Sequence, residues 1–194
     1  MTRTIRHALL ALPLLALASG CGGPSKWFFA EIKEPGICKQ LTDITMSGTQ
    51  PGAELTLTFI VTLGAIPLFD SNAGEVEILP LNVTFNAKSG IQDFNSVDSA
   101  WILAKPDPAN TAGLTDTEIV RYDRAPGFSP GTELTIAAHQ DVNLVPFLSG
   151  SGQDLTVESH MNGGLPQNPW VTDINACLAT NARVDYLAAF GIHL

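Results

Sequence analysis

Between Glu54 and Leu63 the chain alternates without a break. Leu55, Leu57, Phe59, Val61 and Leu63 fall on one parity, and Thr56, Thr58, Ile60 and Thr62 on the other. A period of two sends successive side chains to opposite faces of an extended strand, so one face here is wholly apolar and the other mostly hydroxyl-bearing. A helix through the same residues would scatter the apolar ones around its circumference. Pro51-Gly52 opens the segment and Gly64 closes it. Such a strand must cover its apolar face with a second layer, which points to packed sheets.

The same grammar recurs along the chain. Leu41 to Met46, Glu75 to Leu81 with a continuation through Val83 to Asn86, Trp101 to Ala104, Leu134 to Ala138, Val142 to Leu148 and Leu155 to Ser159 all read as strands. Turn formers separate them at Asp70 to Gly74, Ser89-Gly90, Ala125-Pro126-Gly127, Ser129-Pro130-Gly131 and Ser149 to Gly152. Two stretches read both ways. Thr115 and Glu118 have capping-box spacing, yet Glu118 to Tyr122 also reads as strand. Ile174, Cys177, Leu178 and Asn181 are helix-spaced, whereas Val184, Tyr186, Ala188 and Phe190 are strand-spaced and favour a final strand. No repeat or composition break divides the chain. The expected fold is all-β: a single antiparallel β-sandwich of immunoglobulin-like or jelly-roll type over residues 27–194, following a cleaved N-terminal helix. The body exceeds the about 100 residues of an immunoglobulin domain, so extra strands or long loops are required.

The N-terminus is an address. Arg3, Arg6 and His7 precede an apolar run from Ala8 to Ala18. That run is shorter than the roughly 20 residues that span a bilayer and fits the apolar region of a signal peptide covering residues 1–20. Leu17-Ala18-Ser19-Gly20-Cys21 then resembles the lipobox of bacterial lipoproteins, in which small residues precede a Cys that becomes the acylated first residue. The family usually carries Leu, Val or Ile three residues before that Cys, where this chain has Ala18; Ala16-Leu17-Ala18 would also suit an ordinary signal peptidase. The resemblance implies lipidation of Cys21 by a diacyl group and a palmitate-type N-acyl chain, with a tether over residues 21–26. Gly22 stands where Asp would retain an enteric lipoprotein in the inner membrane, which implies the outer membrane. It implies nothing about the fold. With Cys21 acylated, Cys38 and Cys177 remain, and in an oxidising compartment they are expected to pair with Cα atoms about 4.4–6.8 Å apart.

Charge narrows the partners. Ten basic and 19 acidic side chains give a net charge of −9, and the basic ones are scattered, which excludes an electrostatic nucleic-acid surface. Loss of Arg3 and Arg6 with the leader takes the charge from −9 to −11. An acidic body is repelled by anionic head groups, so lipid chains have to hold it at the membrane.

No nucleophile elbow and no phosphate-binding loop occurs, and Gly150-Ser151-Gly152 reads as a turn. His139 with Asp141, and Glu158 with His160, would each share a strand face. If those two strands were neighbours, the four groups could converge on a metal; the plainer reading is solvated strand-end residues. Asp70, Asn72, Glu75 and Glu77 superficially resemble a calcium loop, but Gly74 stands at position five and Leu81 at position twelve, so the pattern fails. No catalytic residue, metal site or cofactor is assigned. The most irregular segment runs from His160 to Trp170, eleven residues with two Gly, two Pro and two Asn. A loop that long is often functional, which makes Trp170 and His160 candidate partner contacts; the competing reading has Trp170 packed on the sandwich edge. Lys105 to Leu114 is the second such segment. The expected function is a non-catalytic envelope lipoprotein that binds or scaffolds another envelope component, protein or glycan. The alternatives are a surface adhesin or ligand-binding module and, behind these, a hydrolase or metal-dependent enzyme.

Overall fold

The computed structural model describes residues 29–63, 74–109, 113–149 and 154–185. The leader, Cys21 and its tether, Trp27, Asp70 and Asn72 of the calcium-like segment, Gly150 to Gly152, and Tyr186, Ala188 and Phe190 of the expected final strand lie outside those residues. Eight strands are present: β1 (Phe29–Met46), β2 (Leu55–Thr62), β3 (Gly74–Ser89), β4 (Val97–Lys105), β5 (Thr117–Asp123), β6 (Glu133–Ala137), β7 (Asp154–Gly163) and β8 (Trp170–Asp185). They form two four-stranded antiparallel sheets, ordered β1-β8-β3-β6 and β2-β7-β4-β5. The chain crosses between the sheets at every connection except β4 to β5. That double Greek key is the jelly roll, one of the two expected forms of β-sandwich.

Alternation explains the layers. In β7, Leu155, Val157, Ser159 and Met161 point inward, opposite Val61, Phe59, Leu57 and Leu55 of β2. Val83 and Phe85 of β3, Leu134 and Ile136 of β6, and Trp170 and Ile174 of β8 are buried in the other sheet. At one end Phe85, Phe94 and Trp170 meet edge to face, with centroids 6.4 and 6.2 Å apart.

Two expectations are corrected, a strand over Val142 to Leu148 and a loop from His160, and two stretches that read both ways prove to be strand. Val142 to Leu148 is not a strand. It holds a 3₁₀ turn at Val145–Phe147, since Pro146 cannot extend a ladder and Asn143 Oδ1 accepts the N–H groups of Ile78 and Val145. The helix spacing of Ile174, Cys177 and Leu178 belongs to β8. Its inward face changes phase where the neighbouring strands bulge, at Glu34/Ile37 of β1 and Pro80/Asn82 of β3, so Cys177 and Leu178 are both buried. Residues 160–163 belong to β7, which leaves only 164–169 as the loop before β8. The ambiguous Glu118 to Tyr122 lies in strand β5.

Cys38 and Cys177 form a disulfide, S–S 2.05 Å, across directly opposed positions of β1 and β8. Their Cα atoms are 4.0 Å apart, closer than expected from disulfides in general. Adjacent antiparallel strands already bring opposed residues to about 4.5–5.5 Å, so little approach remains to be made.

Candidate functional site

The outer face of the β2-β7-β4-β5 sheet carries a row of side chains capable of chemistry. Thr56, His160, Trp101 and Arg121 are register partners in one row across the four strands. His160 stacks on Trp101 with centroids 4.9 Å apart and planes within 4°. The Arg121 guanidinium lies 5.2 Å from the same ring's centroid, from the strand on the other side of β4. Trp101, half-buried, is thus flanked by His160 from β7 and Arg121 from β5. The row is flanked by ion pairs. Lys105 contacts Asp116 and Glu158, and Arg121 contacts Glu118 and Asp123. The hydrogen bond to Asp116 holds the Lys105 ammonium above its ordinary range, and the one to Asp123 does the same for Arg121.

His160 is the hub. Its Nε2 lies 3.0 Å from Glu158 Oε1, and its Nδ1 contacts Glu54. Thr56 Oγ1 lies 3.4 Å from Nδ1, which gives a Thr56–His160–Glu158 sequence with the order of a nucleophile, base and orienting acid. The hydroxyl, however, donates to Glu54 Oε1, and Glu54 also occupies Nδ1. The proton thus has a carboxylate to go to, and the imidazole is engaged elsewhere. The arrangement works as a cross-strand polar brace.

His139 and Asp141 do not join it. They follow β6, in the other sheet, so the strand neighbourhood on which a four-ligand metal site depends does not form. His139 pairs instead with Glu118, 3.5 Å away. Among the described residues no group of three His, Cys, Asp or Glu is arranged to hold a metal ion. A cavity of about 30 Å³ between the sheets is lined by Phe59, Val83, Ile102, Leu144, Val157 and Ile174. It is far below the roughly 150 Å³ of an apolar cavity that takes up benzene.

Trp170 is not a partner contact. It is 1% exposed, packed on Phe94, and a side chain covered by its own domain has no surface to offer. Its indole N–H has no hydrogen-bond partner among the described residues. His160 is largely covered too, at 13% side-chain exposure. The aromatic that does emerge at this end is Phe128, 52% exposed, in the connection between β5 and β6. The loop beneath it is braced. Arg124 bonds to Asp98 and to the Asn95 carbonyl. Asn95 Oδ1 accepts the Gly131 N–H at 2.9 Å, and Phe128 N–H donates to the Ala125 carbonyl at 3.0 Å. Gly127, with φ 79°, makes the turn that lifts the ring out. The sequence signal was the pair of Pro-Gly turns bracketing Phe128. The Trp101 row had a signal as well, in residues of like parity on separate strands, but no single sequence says which strands are neighbours.

No protein-family model matches the chain, and no curated protein sequence matches it. Among solved structures, the decameric BFDV capsid protein is similar over 79% of this chain and 99% of its own, at 8% identity and TM-score 0.38. A structure of carbohydrate-binding modules from the β-sandwich superfamily is similar over 77% of this chain and 54% of its own, at 8% identity and TM-score 0.32. The Tobacco streak virus coat protein is similar over 74% and 85%, at 12% identity and TM-score 0.30. The jelly-roll assignment rests on the strand order alone.

Proposed function

We propose that the chain is a non-catalytic binding module of the bacterial envelope, lipidated at Cys21, held at the outer membrane and working through the end of the sandwich farthest from that anchor. The observation that carries the reading is the placement of Phe128. β1 begins at Phe29 beside the end of β8 and finishes at Met46 opposite Trp170, roughly 55 Å away at about 3.3 Å per residue. Phe128 sits at that far end, near the Phe94–Trp170 cluster, to which Gly131 is tied by the Phe94 N–H. A rigid, pre-positioned aromatic loses little freedom on binding, which is what a contact residue needs. The partner is another envelope component, protein or glycan.

The test has two arms. Cys21→Ser should abolish incorporation of labelled fatty acid and release the chain from membranes; retention in the membrane fraction at high salt would reject the anchor. Phe128→Ser should strip the co-purifying component from detergent-solubilised membranes without moving thermal unfolding. An unchanged set of co-purifying molecules rejects the distal end as the working surface.

A further inference from the structure

The four sheet edges are not treated alike. β1 carries two bulges, the left-handed Asp43 with φ 57°, and the charged Lys39. β6 is only five residues long. β5 carries Glu118, Arg121 and Asp123, and at Val120 it bridges to Ala138 beyond β6. Bulges, charges and short length are the means by which sheets discourage added strands. β2, Leu-Thr-Leu-Thr-Phe-Ile-Val-Thr, has none of them: no charge, no proline, no bulge over eight residues. Its ladder runs to β7 alone, and among the described residues nothing pairs with its other side. Alternate residues of such a strand direct N–H and C=O away from the sheet. Ile60, 59% exposed, stands on its solvent face between Thr58 and Thr62.

We infer that β2 is a strand-addition site, and that its occupant is an extended segment of another polypeptide, uncharged through its centre and basic at its ends. The edge dictates the class, because a row of backbone donors and acceptors is satisfied by another extended backbone. The flanks dictate the charge. Glu54 precedes the strand and Asp154 of β7 lies opposite Thr62, whose hydroxyl it accepts at 2.7 Å; although both carboxylates lie on the β7 side of the strand, they leave the outer face acidic at the two ends of β2. A second copy of this chain fits less well, because each copy is acidic, with a net charge of −9. The site gives a partner class to the binding module proposed above, and depends on neither the lipid nor Phe128.

The probe is a capped peptide, Lys-(Thr-Val)₄-Lys, against the full chain in detergent, with a version carrying Pro in place of a central Val as control. The expected result is saturable binding by fluorescence anisotropy, slowed hydrogen exchange within residues 55–62, and binding of the Pro peptide weaker by about tenfold or more. Ile60→Lys should weaken the alternating peptide by a similar factor of about ten with thermal unfolding unchanged. Phe128→Ser should leave it untouched, so failure of the distal-end reading is separable from failure of this one. Equal affinity for the two peptides, or protection elsewhere than 55–62, overturns the site. Full protection of 55–62 in the dilute free protein would mean that the chain covers its own edge. Protection that grows with protein concentration would mean a second copy does so. Either result overturns the occupant.

Discussion

Along one side of the sandwich the backbone reaches across the gap between the sheets. Val120 of β5 and Ala138 form a bridge, and the His139 N–H donates to the Ile119 carbonyl at 2.8 Å. Along the other side, β1 and β2 lie at the edges of different sheets with no ladder between them. There β1 is held sideways, to β8, by the Cys38–Cys177 bond and by Asp173, whose Oδ1 accepts the Asp43 N–H at 2.8 Å and lies 3.3 Å from Lys88 Nζ. One side is closed by a short backbone bridge at residues 119–120 and 138–139, whereas the other has no bridge between its edge strands, and there the β1–β8 ladder is pinned by the disulfide and Asp173. The open side should therefore depend on single residues more sharply than the closed one.

The largest effect should come from Cys38→Ala with Cys177→Ala. For a loop of 139 residues the chain-entropy model puts the loss at up to about 5 kcal/mol, read by thermal unfolding. Hydrogen exchange should show β1 opening before β5 and β6; simultaneous opening of both sides would break the comparison. Next is Trp170→Ala, expected to cost about 3–5 kcal/mol as a fully buried aromatic and to loosen both sides together, because β8 lies inside its sheet. Trp170→Phe should cost much less, since it removes a buried donor that has no partner. On the closed side, Val120→Ala should cost about 2 kcal/mol and expose the β5–β6 amides selectively in exchange. The smallest effect is pH-dependent. The Asp43 N–H, and then Lys88, hold Asp173 below the ordinary carboxylate value of 3.8. The folded state thus releases this proton more readily than the unfolded chain. Its stabilisation is fully present above 3.8 and is lost as pH falls through the lower folded value. Acid should loosen the β1 bulge at Asp43, seen as faster exchange there, and Asp173→Asn should lack that pH-dependent part.

What the sequence disclosed follows from how local each cause is. β2 and β6 were legible because their apolar period is set by one uninterrupted face. The Cys38–Cys177 pairing was legible from parity. β8 read both ways, with a strand favoured, because its phase change is imposed by bulges in β1 and β3, strands about a hundred or more residues away in the chain. Trp170 looked like a contact because Gly, Pro and Asn around it mark an irregular backbone, and irregularity says nothing about which side chains turn inward. The outer-face row of Thr56, His160, Trp101 and Arg121 needs strand order to exist at all. The undefended edge of β2 was invisible for the same reason: an alternating strand reads alike at the centre of a sheet and at its rim.

The pairing of β1 with β8 also sets a timetable. Of the described strands β1 is made first and its partner last, and the 139 residues added after Cys38, up to and including Cys177, take roughly 7–30 s to synthesise at about 5–20 residues per second. Throughout that interval β1 has neither its ladder nor its sulfur partner, and contacts of such sequence separation are slow to form even once the chain is whole. The bulges at Glu34/Ile37 and Leu41/Ile44 and the lysine between them then serve a second purpose. They keep a nascent strand from pairing with a stranger while it waits for the end of its own chain.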